Sequence, residues 1–131
     1  MQPTARFVTA IQILALLAQS RTLKTSEQLG QKTGAHPVVV RRILLSLRRA
    51  GLLTAQKGPG GGSKIARPPH TINFLGIYRA LEERRPLRLP VSARSSARQV
   101  NDVLLTIHDR SQRSLEAALS QVTLASVLGR S

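Results

Sequence analysis

The chain has 131 residues, a formal net charge of +14 and a hydrophobic content of 41%. This length suits one domain, or one domain with an oligomerisation extension, and the apolar share is sufficient for a core. The absence of cysteine excludes disulfides and thiolate metal sites, while the 2% aromatic content argues against proteins that stack single-stranded bases on aromatic rings.

The positive charge is concentrated in the first half of the chain. Residues 1–69 contain eleven Lys and Arg against one acid, Glu27, an excess of +10; residues 70–131 contain nine against five acids, an excess of +4. Because counterion release rewards a concentrated cationic field, we expect the first half to contact a polyanion. The alternative is that the charge serves solubility alone.

The first predicted helix runs from Arg6 to Gln19. Its apolar residues follow helical spacing, while polar residues recur on another side, so we interpret it as a core helix and not as a signal peptide. No apolar run approaches the roughly 20 residues of a membrane span. We therefore expect a cytoplasmic protein with no membrane partner.

A helix-turn-helix is predicted next. The segment from Thr25 to Gln28 matches a capping box, which starts a short helix ending at Thr33 and Gly34. Pro37 suits the first position of a second, longer helix, and Gly51 suits the position just past its end. A short helix, a tight turn and a longer helix have the spacing of this DNA-binding motif.

The second of these helices is cationic on one face and apolar on the other. We expect Val40, Ile43, Leu44 and Leu47 to be buried. The opposite face has Arg41, Arg42, Ser46 and Arg49, with Val38 and Val39 near its start and His36 just before it.

These side chains suit a DNA duplex. Arg41 and Arg42 can each present a planar fork to guanine O6 and N7 in the major groove. Arg48, Arg49 and Lys64 are expected to contact phosphates, which position a protein without specifying sequence. The N–H groups near Ser26, at the start of the short helix, can also receive a phosphate.

A β-hairpin should follow the cationic helix. Leu52 to Gln56 and Ser63 to Ala66 are the predicted strands, and the segment from Lys57 to Gly62 is their glycine-rich tip. Such a hairpin is called a wing, and we expect Lys57 to reach or border the minor groove.

The remaining chain contains two further predicted helices. Residues 72–81 are predicted to form a fourth helix, capped by Thr71 or Asn73, and residues 82–97 a linker loop.

Residues 98–120 are predicted to form a long helix. Its apolar stripe exceeds what a small winged domain covers, so we expect a homodimer through these helices. The alternative is packing wholly within one monomer. The predicted dimer contacts are Val100, Leu104, Ile107, Ser111, Leu115 and Leu119.

The predicted fold class is therefore mainly α with a small β-hairpin wing. We expect a winged helix-turn-helix DNA-binding domain at residues 1–81, the linker at 82–97, and a long dimerisation helix with the C-terminal tail at 98–131.

Three segments together resemble the BadM/Rrf2 family of bacterial transcription regulators. They are His36 to Leu44, Leu47 to Leu52 and Lys57 to Gly62, and the segment from Val122 to Ala125 is similar to that family's C-terminal signature. The resemblance implies a two-fold homodimer with crossed long helices and a near-palindromic operator. It places DNA contacts at Val38, Val39, Arg41, Arg42 and Lys57. Many members hold an iron-sulfur cluster on cysteines, and this chain departs from them because it has none.

Enzymatic function is not expected, because no acid falls in a catalytic motif and the glycine-rich tip lacks the Gly-Lys-Ser/Thr ending of a P-loop. No cofactor or metal site is predicted, and any small-molecule effector is unassigned. We predict a sequence-specific, homodimeric repressor of transcription that binds double-stranded DNA. The alternative is a basic winged-helix module that binds RNA or a protein without operator specificity.

Overall fold

The computed structural model describes residues 5–81 and 95–128. It contains two short 3₁₀ turns, Pro69–Thr71 before the fourth α-helix and Leu124–Val127 after the fifth. The regular elements are α1 (Ala5–Ala18), α2 (Ser26–Thr33), α3 (Pro37–Arg49), β1 (Leu53–Gln56), β2 (Gly62–Ile65), α4 (Phe74–Leu81) and α5 (Ser95–Leu119). The mainly helical fold with a two-stranded wing is confirmed. The greater part of the predicted linker, residues 82–94, lies outside the described residues.

Local capping fixes both helices of the helix-turn-helix. The Thr25 hydroxyl accepts the Gln28 N–H at 3.2 Å, and Gln28 Oε1 accepts the Thr25 N–H at 2.9 Å, which is the predicted capping box. His36 caps α3, because its Nδ1 accepts the Val38 N–H at 3.1 Å. Gly51 follows α3 with φ +77°, a value that glycine adopts at no steric cost.

The wing is an antiparallel hairpin in which Leu53 pairs with Ile65 and Gln56 with Gly62. A third segment joins it, because Lys24 and Ser63 exchange two backbone hydrogen bonds of 3.0 and 2.8 Å. Gly62 has φ +149°, and a Cβ at this position would lie 2.6 Å from the Lys24 carbonyl oxygen. The wing can therefore lie this close to the start of α2 only with glycine at this position.

The core surrounds α1 and is aliphatic apart from one aromatic cluster. Phe7 meets Phe74 and Tyr78 edge to face, with ring centroids 6.1 and 5.7 Å apart. These three side chains are all the aromatic residues in the sequence. Phe7 and Tyr78 are buried and Phe74 is partly buried. The other buried hydrophobic residues are Ala10, Ile13, Leu14, Leu17, Leu29, Val40, Ile43, Leu47, Leu52, Leu53, Ile72, Ile77, Leu119 and Leu124.

Helix α4 begins at Phe74, two residues later than predicted. Asn73 is the N-cap of α4, because its Oδ1 accepts the Gly76 N–H at 2.8 Å, and of the two predicted caps it is the one confirmed. Ile72 is extended, and its carbonyl oxygen accepts the Leu124 N–H at 2.7 Å. The backbone of Ile72 thus pairs with the segment after α5 and is not available to a helix.

Helix α5 presents two different faces. Near its C-terminal end, Leu119 is buried and Leu115 packs partly against the core, while Gln112 Nε2 donates to the Tyr78 hydroxyl at 3.3 Å. The N-terminal half exposes a separate apolar face, with Val100 58% and Ile107 54% accessible. Among the described residues, Val103 and Leu104 are exposed there as well, and Ser111 continues the same face.

Two of the predicted dimer residues, Leu115 and Leu119, are thus occupied within their own chain. The predicted helix also gains three residues, because α5 begins at Ser95 and not at residue 98. Within the described ranges, no helix is both long and apolar enough to cross a lipid bilayer.

Candidate nucleic-acid interface

The face of α3 opposite the core forms one row of side chains, Val38, Arg42, Leu45 and Arg49. They are spaced by four, three and four residues, which places successive members beside one another on a helix. All four are exposed, whereas Val40, Ile43 and Leu47 on the other side are fully buried. The burial of one face thus fixes which cationic and apolar groups point outward.

A groove of about 490 Å³ lies beside this row. One wall is the N-terminal turn of α2 with Ser26, a second is the flank of α3 with Arg41, and the third is the wing with Lys57. The hydrogen bonds between Lys24 and Ser63 close its floor, because they join the α2 entrance to β2. The groove is therefore built from all three parts of the winged helix-turn-helix.

The groove is strongly cationic. Lys24, Arg41, Arg48 and Lys57 line it, and Glu27 is the only acid among its lining residues. Arg41 Nη1 lies 3.6 Å from Glu27 Oε1, so one of the four cations is paired. A phosphodiester strand, which is uniformly anionic, matches the charge that remains.

Three predicted site residues, Ser26, Arg41 and Lys57, are brought together in this groove. Ser26 lies in the first turn of α2, and its hydroxyl donates to Glu27 at 3.3 Å. Lys57 directly follows β1 at the base of the wing tip. This clustering agrees with a role in contacting one DNA backbone.

The other predicted residues lie around the groove. Arg42, Arg49 and Val38 belong to the exposed row of α3, and Val39 lies on the flank of α3 away from the wing. His36 is exposed at the start of α3, where its Nδ1 is used as a cap. All of them remain predictions as DNA contacts.

Lys64 does not join this cluster. It pairs with Thr54 across the hairpin, whereas the neighbouring pair, Ala55 and Ser63, lines the groove. Because successive side chains of a strand point to opposite faces, Lys64 lies on the face of the wing away from the groove. A phosphate contact at Lys64 would require DNA to pass that other face.

Sequence reasoning missed two residues that line the groove, Lys24 and Leu45, and Leu45 also belongs to the exposed row. Lys24 reaches the groove through pairing with a residue 39 positions later, a contact that no local pattern signals. Leu45 is 36% exposed, and the signal that could have found it is its position off the helical spacing of the buried residues Val40, Ile43 and Leu47. Arg48, by contrast, was expected to contact a phosphate, and it lines the groove. The phosphate contact itself stays a prediction.

The residues present do not fit an iron-sulfur cluster. The 131 residues include no cysteine, and the described part of the chain has no group of three or more His, Asp or Glu placed to hold a metal ion. Thiolate ligation, on which such clusters depend, cannot come from this sequence.

Known proteins with similar sequences and folds are transcription regulators by name. YwnA of Bacillus subtilis, named an HTH-type transcriptional regulator, shares 28% sequence identity with this chain over 128 residues, which cover 95% of each chain. A crystal structure from Lactobacillus plantarum, also named for a transcriptional regulator, is 25% identical with a TM-score of 0.79 and covers 92% of this chain and 85% of its own.

The fold is also that of IscR from T. potens, with a TM-score of 0.69, 24% identity and coverage of 95% of this chain and 84% of that one. The Rrf2 family, described as iron-dependent transcriptional regulators, matches residues 4–130. The match thus includes α1 to α5 and the wing together. This chain belongs to the Rrf2 family of DNA-binding transcriptional regulators.

Proposed function

We propose that this protein is a homodimeric repressor that binds a near-palindromic operator in duplex DNA. The observation that supports this most strongly is the exposed row of α3 beside a groove lined by four cations. Neither feature is needed for the core, since Val40, Ile43 and Leu47 already bury the other side of the helix.

In this proposal α3 enters the major groove and its exposed row reads base edges. Arg42 lies in the middle of the row, where a bidentate contact to guanine is worth about 1 to 3 kcal/mol of discrimination. One DNA backbone follows the groove past Ser26, Arg41 and Lys57, whose contacts set the register of the protein on the duplex.

The second copy is proposed to pack on the outer face of α5. Val100, Leu104 and Ile107 lie there without a covering element in the described chain, and Ser111 is small enough to allow close approach of two helices. Two crossed helices would then place two α3 helices on successive turns of the DNA, about 34 to 36 Å apart. A two-fold dimer requires a near-palindromic site.

The alternative of RNA binding is less well supported. Recognition of single-stranded RNA relies on exposed aromatic rings for base stacking. Here Phe7 and Tyr78 are buried and Phe74 packs against them. Helix α3 has no aromatic side chain on which a base could stack. A cationic α-helix, in contrast, fits the major groove of B-form DNA.

We further propose that the protein works in the cytoplasm, where bacterial DNA lies, and that it represses by occupying promoter DNA. The family is described as iron-dependent, but these 131 residues contain no cysteine that could hold an iron-sulfur cluster. Any effector is accordingly a small molecule or partner of other chemistry.

Selection of binding sites from random-sequence duplexes tests the proposal. We expect a motif with two inverted half-sites, and we expect Arg42→Ala to lose the preference at one position in each half. Arg79→Ala is a matched control, because Arg79 is exposed on α4, lies 3.7 Å from Glu116 of α5 and belongs neither to the α3 row nor to the groove lining. Enrichment of no motif, or tighter binding of structured RNA than of any duplex, would contradict the proposal.

A further inference from the structure

Three aliphatic side chains, Val38, Val39 and Leu45, are exposed on the cationic helix α3, and two of them, Val38 and Leu45, belong to its outward row. Val38 is 41% exposed and Leu45 is 36% exposed, and Arg42 lies between them in the same row. Exposed aliphatic groups add nothing to the attraction of a phosphate backbone. Their presence on this helix, amid Arg41, Arg42 and Arg49, requires another reason.

The chemistry of the major groove supplies that reason. Thymine is the one DNA base with an apolar group there, its C5-methyl, and aliphatic side chains recognise it by contact. The surrounding arginines match the charge of the duplex, so the same row that is drawn to DNA also presents apolar groups to the base edges.

We infer that Val38 and Leu45 specify thymines in the operator by contacting their methyl groups. This inference rests on the proposed function, because it assumes that α3 lies in the major groove. It assigns a thymine contact to each of two residues. One of them, Leu45, was not among the DNA contacts predicted from the sequence.

The spacing of the two residues predicts the spacing of the bases. Seven residues of α-helix span about 10.5 Å. Successive bases are about 3.4 Å apart along the DNA axis, so the two thymines should lie about three steps apart in each half-site. Arg42, between the two aliphatic groups, is then placed at an intervening base pair.

The test removes one methyl group at a time. Each conserved thymine of the selected duplex is replaced by deoxyuridine, which pairs identically and differs only in lacking the C5-methyl, and binding is measured by titration. We expect the native protein to lose about fourfold in affinity for each contacted methyl removed, the value of one buried apolar carbon.

The variants assign the contact. Val38→Ala should be insensitive to deoxyuridine at one thymine, and Leu45→Ala at the other, since neither retains the group that touches the methyl. Val8→Ala is the matched control, because Val8 is an exposed valine on α1, and it should keep the native sensitivity. Both tested side chains are exposed, so the variants should fold, and their thermal unfolding checks this.

The outcomes separate this inference from the proposed function. A selected motif whose binding ignores deoxyuridine, or a methyl effect that both variants retain, would overturn the thymine contacts while leaving operator recognition in place. Binding without any sequence preference would overturn both.

Discussion

Arg41 of α3 and Glu27 of α2 form an ion pair across the groove, with 3.6 Å between Arg41 Nη1 and Glu27 Oε1. Both side chains are more than half exposed, so the pair contributes little to stability, about 0 to 1 kcal/mol. Its consequence is for binding. Glu27 is the only acid in residues 1–69, and it lies where we propose that a phosphate strand passes.

The first prediction concerns this acid. Glu27→Gln should raise the affinity for duplex DNA about threefold at low salt, because a carboxylate about 6 Å from a phosphate in water costs about 0.7 kcal/mol. Fluorescence anisotropy with a labelled duplex measures the change. Glu116→Gln is the control, since Glu116 pairs with Arg79 at 3.7 Å and lies away from α3. Equal gains in both variants would show a net-charge effect only.

The second prediction concerns the wing. Gly62→Ala should weaken DNA binding about tenfold or more. The added Cβ would lie 2.6 Å from the Lys24 carbonyl oxygen, so the wing would have to move away from the segment that precedes α2. Gly76→Ala is the matched control. A Cβ there meets only Asn73 Oδ1 at 3.5 Å, and alanine favours a helix, so binding should persist. Native affinity in Gly62→Ala would contradict the proposed role of this wing geometry.

The third prediction concerns the capping box of α2. Thr25→Ala removes the acceptor of the Gln28 N–H and should cost about 1 kcal/mol of unfolding free energy, lowering the melting temperature by about 4 °C. Differential scanning calorimetry measures it. Thr106→Ala should leave stability nearly unchanged, because the Thr106 hydroxyl only donates to the Asp102 carbonyl oxygen within α5. Equal losses in the two variants would refute a special contribution from the cap.

The fourth prediction concerns the outer face of α5. Ile107→Glu should convert the proposed dimer into a monomer at micromolar concentration, because it buries an unpaired charge between two helices. Sedimentation velocity reads the mass. Thr106→Glu places the same charge on the preceding residue, which points away from that face, and should remain dimeric. A native protein that is already monomeric would remove the basis for the proposed dimer.

Features with local causes were predictable from sequence. The capping box at Thr25, the bounds of α3 between Pro37 and Gly51, and the wing about its glycines each follow from residues within a few positions of one another. The amphipathic pattern of α3 also placed Val40, Ile43 and Leu47 in the core correctly. Leu44, which was expected to be buried with them, is only partly buried, because it lies on the flank of α3 that lines the groove.

Features that depend on distant contacts were not predictable. The Lys24 pairing with Ser63, which closes the groove, has no local signature. Ile72 matched the helical spacing of α4, but pairing with Leu124 keeps it extended. Leu119 matched the predicted dimer stripe, yet the segment after α5 folds back and includes it in the core. In each case tertiary contacts decided between local conformations of similar energy.

We propose that the α3 row reads sequence and that the cations alone do not account for binding. Titration of the selected duplex and of a scrambled duplex of equal composition, between 50 and 200 mM salt, separates these two contributions. Nonspecific binding should fall steeply with salt, whereas a preference of about a thousandfold or more for the selected duplex should persist at physiological salt. Affinities for the two duplexes that remain equal and vanish together as salt rises would contradict the claim.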